Sequence, residues 1–78
     1  MKLPVVSGKE VIKALQKTGF VAIRQKGSHV HLVKDGAAGK RFHATVPVHA
    51  NKDLNSFVLR SIARQAGYTI EEFAELFL

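Results

Sequence analysis

Lys26-Gly27-Ser28-His29-Val30-His31-Leu32 is the stretch whose reading decides the fold. Val30 and Leu32 alternate with His29 and His31, and a period of two marks a strand with one apolar and one polar face. Working outward, Phe20 to Gln25 is β-rich and follows Gly19, which predicts a first strand, with Lys26-Gly27-Ser28 as the turn into a second strand over His29–Lys34. Asp35 to Gly39 reads as a loop, and a third strand over Arg41–Val46 ends at Pro47, which cannot donate to a central ladder. The three strands make an antiparallel meander. Phe42, Ala44 and Val46 alternate with His43 and Thr45, so His29, His31 and His43 are expected on one open face. A five-residue loop closing Lys34 against Lys40 would set His31 opposite His43 and His29 opposite Thr45.

Helices flank this meander. Ser7-Gly8-Lys9-Glu10 has the capping-box form, and Val11, Ile12 and Leu15 follow as an apolar stripe, with Lys9, Lys13 and Lys17 opposite and Gly19 as the stop. A second helix is predicted over 55–66, burying Val58, Leu59, Ile62, Ala63 and Ala66, with Arg60 and Arg64 paired on its surface. Thr69-Ile70-Glu71-Glu72 repeats the capping-box form and opens a short final helix with Phe73, Leu76 and Phe77 as its apolar edge. The predicted order is α-β-β-β-α-α, an α+β fold in a single domain over 1–78.

Seventy-eight residues bury only roughly 60% of the surface that the unfolded chain exposes. Without cysteine there is no disulfide or thiolate site to compensate, so apolar packing must hold the fold. A hydrophobic share of 46% suits a folded domain, no apolar run is long enough to span a bilayer, and no signal segment opens the chain. A cytoplasmic protein with no membrane association is expected. All twelve Lys and Arg lie at or before Arg64, so residues 1–66 carry +9 and residues 67–78 carry −3. That asymmetry points to a polyanionic partner, and for so small a domain to nucleic acid.

Four histidines between positions 29 and 49 carry the candidate chemistry. His-x-His on a strand can present two nitrogens to a metal, with His43 as a third, but no Asp, Glu or Cys stands nearby to complete or orient the set. A serine hydrolase is poorly served, because Ser28 and His29 are adjacent on a strand and point apart. Metal-free RNA cleavage fits better, with no cofactor. RNA brings its own nucleophile, the 2′-hydroxyl, and asks for a proton acceptor or donor and a cation beside the phosphorane. His29 supplies the first; Arg24, Lys26, Lys40 and Arg41 are candidates for the second by proximity. Gly27 would let a phosphate approach backbone N–H groups.

Over nearly its whole length the chain resembles HicA-type (YcfA-like) toxins, the mRNA interferases of bacterial toxin–antitoxin pairs. The resemblance is carried by Ser7-Gly8-Lys9-Glu10 with Leu15 and Gly19-Phe20, then Arg24-Gln25-Lys26-Gly27-Ser28-His29, Val46-Pro47-Val48-His49, and Leu59-Arg60-Ser61-Ile62 through Gln65-Ala66-Gly67. It implies a fold similar to the double-stranded-RNA-binding domain, with helices on one face of a three-stranded sheet. It also implies mRNA cleavage by a single essential histidine, here His29, and inhibition by a HicB-type antitoxin. Arg24, Lys26, Gly27, Ser28 and His31 are the expected RNA-binding residues around it. The Lys34–Lys40 tip varies freely in the family and nothing is carried onto it, nor onto His43.

Two other readings compete. A non-catalytic RNA-binding module would use the same basic surface to recognise the shape of A-form RNA. A protein-only adaptor would dock through the acidic amphipathic tail from Thr69 to Leu78, where the plainer reading is a helix that caps the core.

Overall fold

The computed structural model describes residues 3–50 and 52–78. Its elements are α1 (Gly8–Lys17), β1 (Val21–Lys26), β2 (His29–Asp35), β3 (Arg41–Pro47), α2 (Ser56–Gln65) and α3 (Ile70–Glu75), so the expected α+β order stands. The strands form one antiparallel sheet in the order β1-β2-β3. Both predicted capping boxes are present. At α1 the Glu10 amide donates to Ser7 Oγ at 3.3 Å and the Ser7 amide donates to Glu10 Oε1 at 3.0 Å. Thr69 and Glu72 repeat the exchange at α3, and Asn55 Oδ1 caps α2.

The helices cover one face of the sheet. Val11 and Leu15 of α1, Leu59, Ile62 and Ala63 of α2 and Phe73 of α3 join Val30 and Leu32 of β2 and Ala44 and Val46 of β3 in a single buried cluster. Ile12 and Val58, expected in the apolar stripes, are only partly buried. Lys9, Lys13 and Lys17 stand opposite the stripe that α1 buries, and therefore on the side of α1 turned away from the sheet. β1 extends past this cover, and all six of its residues are exposed.

Gly8 marks where α1 meets the sheet. A methyl group there would lie 2.2 Å from the Pro47 carbonyl oxygen, inside van der Waals contact with backbone that cannot swing away. Gly8→Ala is therefore expected to cost about 1–3 kcal/mol, the usual toll of overpacking, read as a lower urea midpoint with unchanged slope.

The β2–β3 register differs from expectation. Asp35 pairs with Arg41, so His31 stands opposite Thr45, His29 opposite Pro47, and His43 opposite Val33. The slip is two residues, which preserves both faces. Its cause is the tip. Gly36 to Lys40 closes around a 3-10 turn at Ala37–Gly39 in which Ala38 takes φ +57°, and the Gly36 amide donates to the Lys40 carbonyl. The five-residue loop is thus moved by one residue, from 35–39 to 36–40, and Arg41 Nε donates to Asp35 Oδ1 at 2.7 Å across the closing pair. That hydrogen bond and the guanidinium charge hold the Asp35 carboxyl below its ordinary range. The pair contributes above the ordinary Asp titration and fades as pH falls through the lowered one; its exposure keeps the contribution small.

Candidate nucleic-acid interface

The face of the sheet that carries no helix holds the histidines. A two-residue turn, Gly27-Ser28, joins β1 to β2, with Gly27 at φ +59° where an L side chain would be strained. The Gln25 side chain braces it, Nε2 donating to the Gly27 carbonyl at 3.1 Å. Lys26 and His29 close the turn as a cross-strand pair, and Arg24 and His31 form the next pair on the same face. Directly opposed residues place their Cβ atoms about 5 Å apart, so two cations and two imidazoles make a square at the turn end of the sheet.

A β-bulge makes this square compatible with the core. Phe20 is buried, and strict alternation from it would carry Arg24 and Lys26 to the helix-covered face. The register shifts between Ala22 and Arg24: Ala22 pairs with Leu32, Arg24 pairs with His31, and Ile23 has no partner. Arg24 and Lys26 therefore stand on the histidine face while Phe20 stays inside.

The two histidines differ in their surroundings. His29 is exposed on the central strand. His31 is half-buried, and its Nδ1 lies 2.9 Å from Thr45 Oγ1. The Thr45 amide in turn donates to Gln65 Oε1 at 2.9 Å, and Gln65 Nε2 donates to Ser61 Oγ at 3.1 Å, so α2 steadies the strand edge behind His31. His43 is exposed, its ring centroid 5.7 Å from that of His31.

Among the other sequence candidates, Arg41 shares the face but is engaged by Asp35, and Lys40 lies in the tip with its Nζ 5.8 Å from the Phe42 ring. Ser28 contributes its carbonyl, which accepts the Val48 amide at 2.6 Å. This bond holds the chain after β3 beside the turn and brings His49 to the same end of the sheet, a placement that sequence spacing does not reveal. Among the described residues, no group of three His, Cys, Asp or Glu is arranged to hold a metal ion, and no helix is long and apolar enough to cross a membrane.

A search of curated proteins gives no significant match to the chain. The family model described as the HicA toxin of bacterial toxin–antitoxin matches residues 8–68. That span runs from the first residue of α1, through the Gly27-Ser28 turn and the histidine face, to the residue after the α2 stop, and it implies an antitoxin partner. With most of its length matched in this way, the chain belongs to the HicA toxin family.

Proposed function

We propose that the chain is a metal-independent endoribonuclease that cleaves mRNA in the cytoplasm, with His29 as its general acid/base, and that a HicB-type antitoxin inhibits it. One observation carries this reading: an exposed histidine on the central strand stands directly across from Lys26, with Arg24 and His31 in the next pair of the same face. The chemistry asks for that grouping. The 2′-oxygen attacks the adjacent phosphorus while losing its proton, the bond to the 5′-oxygen breaks, and that oxygen takes a proton as it leaves. The products are a 2′,3′-cyclic phosphate and a 5′-hydroxyl. His29 exchanges one of these protons, while Lys26 and Arg24 offset the charge that builds on the phosphorane. Gly27 and Ser28 let the phosphate come close to the turn backbone.

The test is incubation of the purified chain with 5′-labelled RNA in the presence of a chelator. Fragments ending in 2′,3′-cyclic phosphate are expected. RNA that stays intact, or that is cut only after a divalent ion is supplied, overturns the proposal.

A further inference from the structure

We infer that the helix-free face of the sheet seats a single-stranded RNA segment, with phosphates along β1 and β2 and bases stacked on His31 and His43. The inference rests on RNA being the substrate and specifies how it is held.

The face divides by chemistry across its width. The cations Arg24 and Lys26 stand on β1, and the rings of His31 and His43 stand on β2 and β3. With strands about 4.8 Å apart, the whole face is about 10 Å wide. It is narrow beside the two successive minor grooves that duplex readers span. Its rings have no use for a duplex, whose bases are already stacked on one another. They suit unpaired bases, which stack on aromatic and histidine rings.

The ring geometry supports this use. His31 and His43 are tilted by 47° at 5.7 Å between centroids, so they are not stacked face to face. Thr45 holds His31 by its Nδ1, which orders that ring before any ligand arrives. His31 lies two residues, about 7 Å, along the strand from His29. A base seated on the His31–His43 pair therefore brings a neighbouring phosphate to His29 and Lys26. Lys9, Lys13 and Lys17 face away from this surface, and Arg41, which shares it, is engaged by Asp35, so Arg24 and Lys26 are the cations of β1 placed to meet the strand here.

The experiment measures fluorescence anisotropy of a labelled single-stranded octanucleotide, and of a hairpin duplex, with the His29→Ala chain, the RNA being checked by gel to be intact after each reading. The single strand is expected to bind at least tenfold tighter than the duplex. Adding His43→Ala should weaken single-strand binding by about tenfold, the usual loss of one stacked base, and His43→Phe should restore it. Equal or tighter duplex binding, no loss with His43→Ala, or no rescue with His43→Phe overturns the inference. So does a His43→Ala effect confined to capture of the antitoxin, which would assign the face to a protein partner. Because binding is read on intact RNA, failure of cleavage by the parent chain would sink the nuclease proposal and leave this measurement standing.

Discussion

His29→Ala is expected to lower the rate of RNA cleavage by about 10²–10⁴-fold, the usual worth of a positioned proton-transfer group, while the thermal unfolding midpoint barely moves. The two halves of this expectation have separate physical grounds. The side chain is exposed and anchored by no hydrogen bond among the described residues, so its loss leaves no cavity and orphans no partner. Exposed positions of this kind shift stability by only about 0.5 kcal/mol. The reacting phosphate, by contrast, would lose its proton-exchanging group while keeping Lys26 and Arg24. Lys26→Ala should act more mildly and more salt-dependently, because a neighbouring cation remains. Purified parent and variant chains, compared for initial cleavage rate and thermal unfolding, decide the matter. An alanine chain that retains more than a tenth of the parent rate takes the proton-transfer role away from His29.

Phe73→Ala should be the most damaging single truncation. Phe73 heads the fully buried side chains by volume and packs edge-on against Phe77, with centroids 5.3 Å apart. Truncations of this type cost about 3–5 kcal/mol, set against a total stability of about 5–15 kcal/mol, and a chain this short sits toward the low end of that range. Urea unfolding should show a midpoint collapse with the slope retained, and growth arrest on induction should be lost with the fold. A cost under about 1 kcal/mol would mean that α3 is a loose appendage. The family match stops at Tyr68, so this helix lies outside it. Its burial of Phe73 and Ala74 nonetheless makes it part of the core, and the apolar edge that a docking tail would need is largely consumed there.

Much of this molecule was legible in its residues. Ser7 with Glu10 and Thr69 with Glu72 act locally, so cap chemistry could be read without tertiary information. The two faces of β2 and β3 followed from alternation alone. The register did not, because a slip of two residues leaves an alternating pattern unchanged. What selects among such registers is the tip, where a non-glycine residue, Ala38, takes a left-handed conformation that composition does not announce. The histidine face could be listed from sequence, and His29 singled out with Arg24 and Lys26 near it in the chain, yet the side of β1 on which those two cations stand could not. It depends on one unpaired residue, Ile23, in a run of Val, Ala and Ile that reads as an ordinary strand. His31 and His43 were expected on one face and directly opposed; the register that the tip imposes makes them diagonal neighbours instead, with ring centroids 5.7 Å apart.

The bulge at Ile23 makes β1 a strand written in two reading frames. Before it the residues are spaced to serve the core, with Phe20 inside; after it they are spaced to serve the histidine face, with Arg24 and Lys26 outside. The two frames meet at a single position, so loss of that one residue would leave each frame in step with its own task. Loss of any one residue between Arg24 and Lys26 would throw the second frame out of phase and remove or misdirect a cation. A one-residue shortening of this strand is therefore tolerable between Phe20 and Arg24, where any one of the three residues can be lost with Phe20 still inside and Arg24 still outside, but not from Arg24 to Lys26.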